Sequence, residues 1–344
     1  MRLSTDSDRL TGPEAQTRSE PTAKAVTRDR FGSPDVLQFT DIPQPCVPAD
    51  GALVAVHAAG VNQGDALEMR GWPYLARLMG YGIRHPKRRV PGTDLAGTVV
   101  AVGDDVDGFE VGDDVVGWGA GAFADIAVVQ ASMVIQRPMT VNVEEAAAMP
   151  TAGVTALQSV RDAARVTPGQ RVAVLGASGG VGTFATQIAK AFGAEVTGVS
   201  GARNVDLIRS IGADHVLDYT SDDITSHPGR YDVIIDLVGN QPLRSLRRAL
   251  TRTGTLVVVG GQNPRSLTGM RRFATAAFTS PFTPQRLVPL FSKPNRNDLA
   301  ELAALITDGA VRPVIGDYFH LPDTADAVRK IETGHATGKI VITN

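Results

Sequence analysis

The chain is poor in the residues that build covalent or metal frameworks. Its 344 residues include one cysteine, Cys46, so no disulfide can close within the chain and a four-cysteine zinc lobe is excluded. Net charge is -2, which offers nothing to draw nucleic acid or an anionic membrane surface. No apolar run reaches the roughly 18 residues that a membrane span needs. The opening MRLSTDSDRLTGPEAQTRSEP lacks the apolar stretch of a secretory signal. Its Ser, Thr, Asp and Pro content predicts a disordered tail over residues 1–21, and a cytoplasmic location is expected. What remains is an ordinary globular balance, 43% hydrophobic and 20% charged, at a length that suits one large or two moderate domains.

Residues 22–137 carry short apolar runs broken by Gly, Pro and Asp. ALVAVHAAGVN, LAGTVVAVG, DVVGWG and FADIAVV read as closely spaced strands of a small antiparallel barrel. VNVEEAAAMPTAGVTALQSVRDAARV turns helical, with a break at Pro150. Beyond Thr167 apolar strands recur with helical segments between them: RVAVLG, EVTGVS, HVLDY, YDVIIDLVG and TLVVVGG. That alternation predicts an α/β fold with a doubly wound parallel sheet. DLAELAALITDG reads as a helix with a glycine stop, and GKIVITN as a closing strand. MRRFATAAFTSPFTPQRLVPLF is apolar but broken by prolines, and reads equally as a lid or an interface.

The most informative stretch is GASGGVG, Gly176 to Gly182, between the strand RVAVL and the helical run TFATQIAKAFGA. A helix N-terminus presents unpaired N–H groups and a positive dipole end, so it suits a pyrophosphate. Glycines let the backbone approach closely and let the helix pack on the strand. In that helix Val181, Phe184, Ala185, Ile188 and Ala189 share one face. A strand before and an amphipathic helix after are the context that makes a glycine pattern a dinucleotide loop. An NAD site places an acidic residue at the end of the second strand, to hold the ribose 2′-hydroxyl. Here that strand ends at Ser200, with Arg203 three residues on and no carboxylate. A hydroxyl and a guanidinium suit a 2′-phosphate, so NADPH is the expected cofactor.

AAGVNQGDALEMRG, VPGTDLAGTVVAVGDDVDGFEVGDDVVG, MPTAGVTALQSV, GASGGVG and GKIVI occur in that order. Together they resemble the medium-chain dehydrogenase/reductase superfamily, specifically its zinc-free quinone oxidoreductase branch, over nearly the whole chain. The resemblance implies a GroES-like β-barrel domain from residues 22–147 and 295–344, a Rossmann domain from 148–294, and an active site in the cleft between them. It implies Asn62 beside nicotinamide and substrate, and Thr151 flanking the nicotinamide. Ser178, Gly179, Gly180, Val181 and Gly182 would hold the pyrophosphate, and Ser200, Arg203 and Tyr219 would surround the 2′-phosphate. Gly260 and Gly261 would meet the carboxamide side, and His335 and Lys339 would close over the cofactor. Relatives pair through the Rossmann sheet edge, so a homodimer is expected.

Zinc-dependent relatives place a Cys in the first motif and Gly-His-Glu in the second. Here those stretches read GVNQGD and PGTDLAG, with Asn62, Thr93 and Asp94 at the positions concerned. Asp65 and Asp94 offer oxygen, but no nearby His or Cys completes a set of three, so a metal-free site is expected. His57 reads as a packed or surface strand residue, His85 as part of a solvated basic loop, and Cys46, between prolines, as structural. Hydride added to a simple ketone makes an alkoxide that needs a Lewis acid or strong proton donor. Hydride added to a quinone or enone makes a delocalised anion that hydrogen-bond donors such as Asn62 and Thr151 can stabilise. The expected activity is therefore NADPH-dependent reduction of a small quinone or enone. Enoyl reductases of the superfamily offer a tyrosine where this chain has Pro73; Tyr74, one residue later, is the candidate proton donor, and cleft-wall packing is its other reading. A zinc alcohol dehydrogenase and a non-catalytic NADPH-binding sensor are the alternatives.

Overall fold

The computed structural model describes residues 21–260 and 270–344. The expected tail, apart from Pro21, and Gly261 lie outside the described residues.

The N-terminal half begins with an antiparallel pair, β1 (Thr22–Thr27) and β2 (Gln38–Pro43). The four expected strands follow as β3 (Gly51–Val61), β4 (Asp94–Val102), β5 (Asp114–Ala120) and β6 (Ile126–Gln136). They pair antiparallel in that order, and β6 returns to pair with the first half of β3, which closes the barrel. Because β3 has neighbours on both edges and the barrel core on one face, almost its whole length is buried.

The parallel sheet comes next. β7 (Arg171–Leu175), β8 (Glu195–Ser200), β9 (His215–Asp218), β10 (Tyr231–Asp236) and β11 (Leu250–Val258) are the five expected strands. A sixth, β12 (Arg286–Pro289), lies at one edge, giving the order β12-β11-β10-β7-β8-β9. The segment read as lid or interface thus supplies a helix, Arg271–Thr279, and this edge strand. Its prolines obscured the strand; an edge position tolerates Pro289 because one side of the strand forms no ladder. Central strands are near-continuous Val, Ile and Leu because helices cover both faces. The helix Gly180–Ala191 buries Phe184, Ala185, Ile188 and Ala189 completely and Val181 partly, as its periodicity predicts. Burial of Phe184 or Ile188 contributes roughly 1.5–3 kcal/mol each.

The C-terminal segment goes back to the barrel. β13 (Ile315–His320) and β14 (Lys339–Thr343) extend it, with β14 antiparallel to β3. Periodicity announced β14 but not β13, whose residues alternate between half-buried and exposed at the sheet margin. The register Ile340↔Val61 decides the site: it sets Lys339 beside Asn62, 277 residues earlier in the chain. Just before β14, Gly338 bridges to Gly179 of the glycine loop, so barrel and parallel sheet meet at that loop.

Candidate active site

The glycine loop leaves β7 through Gly176 (φ +81°), a conformation that costs glycine little. Gly182 is held against Gly176: a Cβ there would come 2.0 Å from the Gly176 carbonyl oxygen. Gly179, the N-cap of the Gly180–Ala191 helix, is open; its added Cβ would meet only the Gly176 oxygen, at 3.5 Å. At Gly179, then, the head of the helix is clear of side chains, and the unpaired N–H groups of a first turn there suit a pyrophosphate. A third contact fixes the loop: Gly338 N–H donates to the Ser178 carbonyl at 2.7 Å.

Ser200 and Tyr219 come together at the ends of β8 and β9, with the Tyr219 N–H donating to the Ser200 carbonyl at 3.0 Å. Arg203 is exposed one turn later and donates to the His335 carbonyl at 3.1 Å. Asp218, opposite Ser200 in the register, turns its carboxylate onto Thr220, at 2.8 Å to the hydroxyl. The His335 ring stays on its own loop, against the Thr333 carbonyl. Gly260 closes the far side after β11; its Cβ would strike the Leu237 carbonyl at 2.0 Å. Asn204, which sequence reasoning missed, links three segments. Its amide donates to Ser178 Oγ and accepts from Thr337 Oγ1, each at 3.1 Å. Only its place after the strand end hinted at this.

On the barrel side, Asn62 caps the helix Gln63–Arg70. Its N–H donates to Asp65 Oδ2 at 2.8 Å, while its carboxamide oxygen accepts instead from Lys339 Nζ at 2.6 Å. Lys339 is 3% exposed; Nζ also donates to the Val61 carbonyl at 3.0 Å and lies 4.0 Å from Asp94 Oδ2. Its stem lies against Gly180, where an added Cβ would be 2.9 Å from Lys339 Cδ. Asp94 is fully buried and takes two hydrogen bonds from Thr151, from the hydroxyl at 2.6 Å and the N–H at 3.0 Å. Trp118 Nε1–H donates to the same hydroxyl at 3.1 Å, so the Thr151 proton is committed to Asp94. Burial lowers the Lys339 ammonium from its ordinary range, against the opposing pull of Asp94 and Asp65. Burial likewise pushes Asp65 up to about 7; the Asn62 N–H and Lys339 oppose the shift, and Asp94 and Glu68 add to it.

Tyr74 is half-exposed, with the Arg77 guanidinium 5.2 Å over its ring. His57 and His85 are exposed. Cys46 is exposed too, with a free thiol. Among the described residues no group of three or more His, Cys, Asp and Glu could hold a metal ion, and no helix is long and apolar enough to cross a membrane.

Two family profiles match: "Alcohol dehydrogenase GroES-like domain" over residues 48–139 and "Zinc-binding dehydrogenase" over 211–342. The chain is 33% identical to the chloroplast envelope quinone oxidoreductase homolog of Arabidopsis thaliana, covering 89% of this chain and 93% of the relative. It is 30% identical to the 2-methylene-furan-3-one reductase of Solanum lycopersicum, over 99% of this chain and 84% of that one. Among solved structures, the quinone oxidoreductase from Coxiella burnetii superposes with a TM-score of 0.83 at 29% identity, covering 94% of this chain and all of that one.

Proposed function

Since the chain belongs to the medium-chain dehydrogenase/reductase superfamily, in its quinone-oxidoreductase-like branch, and is an oxidoreductase, we propose that it reduces a quinone or an α,β-unsaturated carbonyl compound with NADPH and without zinc. One observation carries this reading. Lys339 touches the glycine loop with its stem and the Asn62 amide with its ammonium, so dinucleotide cradle and polar cluster form one continuous site.

The residues present suit a dinucleotide. The open Gly179 cradle and the first turn of the Gly180–Ala191 helix would receive the pyrophosphate, with Ser178, Gly180, Val181 and Gly182 alongside. Ser200, Arg203 and Tyr219 would hold the 2′-phosphate; the Asp218 carboxylate, turned onto Thr220, leaves that end to the guanidinium. Thr151 would flank the nicotinamide, with Gly260 and Gly261 on its carboxamide side and the His335–Lys339 tail closing over it. When bound, reduced nicotinamide supplies a hydride to a conjugated carbon. The acceptor's π pair then moves onto its oxygen, and a proton from solvent or from Tyr74 completes the reduction. Because Asp94 takes the Thr151 proton, the donor for the acceptor oxygen is the Asn62 Nδ2–H.

Zinc does not suit these donors. Both Asp94 oxygens accept from Thr151, and the Lys339 ammonium already supplies the positive charge between Asn62 and Asp94. A thiolate-free, imidazole-free set is also weak for this metal. The division into a barrel unit of 22–147 and 295–344 and a cofactor unit of 148–294 is part of the proposal. So are a homodimer, testable by sedimentation, and a cytoplasmic location, testable by imaging of a fluorescent fusion.

The test follows NADPH and NADH oxidation by purified protein against a panel of quinones, enones and simple ketones, with metal analysis of the same sample. Oxidation of NADPH by quinones or enones, unaffected by chelator, is expected. Ketone turnover that needs stoichiometric zinc would overturn the reading.

A further inference from the structure

A lysine that is 3% exposed, with its ammonium turned inward, is costly to bury and calls for a reason. Lys339 has three donors and no acceptor. Two of its partners are fixed by the fold: the Val61 carbonyl at 3.0 Å and the Asn62 carboxamide oxygen at 2.6 Å. The ammonium therefore dictates which way round the Asn62 amide stands. With Oδ1 committed to Lys339, the Nδ2 end has, among the described residues, only a long contact to the Gly60 carbonyl, at 3.4 Å. No close hydrogen bond runs from the first turn of the helix to the Asn62 side chain, whose amide oxygen faces Lys339. The Asp65 N–H is met by the Asn62 backbone carbonyl at 3.0 Å, and the Asp65 carboxylate in turn accepts the Asn62 N–H.

We propose that Lys339 is a positioning residue for the reduction: by taking the Asn62 oxygen it presents Asn62 Nδ2–H to the oxygen of the acceptor. The inference rests on the reading that Asn62 faces the acceptor. Two physical effects follow from the arrangement. The carboxamide is held in one of its two flipped states, the one that donates. Its N–H is also polarised by a cation on the far oxygen, in a dry environment where charge acts strongly. Donation to an acceptor oxygen that gains negative charge then strengthens as hydride arrives, which raises turnover more than ground-state binding. The stem on Gly180 gives the device a second property: it registers the amide against the loop that holds the pyrophosphate.

A double-mutant cycle separates this from a merely structural role. Lys339→Met, Asn62→Ala and the double variant are compared by kcat, acceptor KM and the NADPH dissociation constant. A fourth readout needs no turnover: affinity of the NADP-loaded protein for 4-nitrophenolate, a stable anion of the kind the reaction makes, followed by its absorbance. Lys339→Met keeps the stem along Gly180 and removes the ammonium, so it is expected to lower kcat and phenolate affinity about tenfold, because the Asn62 donor is freed to turn rather than removed, while NADPH affinity falls by less. In the Asn62→Ala background the same substitution is expected to change neither. Lys339→Cys made in a Cys46→Ser chain and alkylated with 2-bromoethylamine restores an ammonium at nearly the same reach, and is expected to regain most of the loss. Additive losses in the cycle, a parallel fall in NADPH affinity, or no recovery on aminoethylation would each overturn the proposal. A wild type inert towards every quinone and enone would defeat the reading of the site instead; the phenolate measurements would still report whether Lys339 acts through Asn62.

Discussion

Asp65 gives the sharpest stability test, because its carboxyl is buried near Asp94 and Glu68 and has, among the described residues, one hydrogen-bond donor, the Asn62 N–H. Its ordinary value of 3.8 is raised to about 7, first by burial. Between those two values the folded protein holds a proton that the unfolded chain has released, so this group makes stability fall as pH rises, and the loss is complete above pH 7. At 1.36 kcal/mol per tenfold change the full loss is about 4 kcal/mol. Asp65→Asn keeps the shape and the acceptor for Asn62 N–H while removing the charge. The variant is therefore expected to be more stable than wild type at pH 8, by up to about 4 kcal/mol, or roughly 8 °C in thermal midpoint at about 2 °C per kcal/mol for a chain of this length. From pH 5.5 to 8 the gap should widen by about 2 kcal/mol, since part of the loss has already occurred at the lower pH. Above pH 8 it should stay level. Groups remote from Asp65 make the same contribution in both proteins and cancel in the difference. Thermal melts of the pair, monitored by circular dichroism across that range, read the gap directly. A gap independent of pH, or one that narrows as pH rises, refutes the account of a buried, destabilised carboxylate.

Three further outcomes follow from the geometry. Arg203→Ala should weaken NADPH binding about 10- to 100-fold, the worth of a charge-assisted hydrogen bond, and leave NADH binding unchanged; isothermal titration with both coenzymes checks it. Gly182→Ala should damage the loop, since the new methyl would stand 2.0 Å from the Gly176 oxygen, and should lower both the melting midpoint and coenzyme affinity in titration. Glu68→Ala should cost about 3–5 kcal/mol in chemical denaturation, because it strands the Arg28 guanidinium, whose side chain is wholly buried and ion-paired to Glu68 at 2.6 Å; a loss under 1 kcal/mol would mean that water reaches the cation.

The sequence by itself determined the local architecture. Strand and helix rhythm after Thr167, the glycine loop and the buried face of the Gly180–Ala191 helix are all short-range patterns, set by side-chain period and by the absence of a Cβ. Arg203 at the strand end belongs to the same class. Where apolar periodicity is weak, as in β13, or interrupted by proline, as before β12, the pattern gave no strand, because edge strands are defined by their neighbours. The polar cluster was decided by the tertiary structure alone. Thr151 reaches Asp94 across 57 residues, Asn204 meets Thr337 across 133, and Lys339 meets Asn62 across 277. No local period encodes such meetings; the last exists because β14 pairs with β3 in one register, and a shift by a single residue would turn Lys339 to the other face.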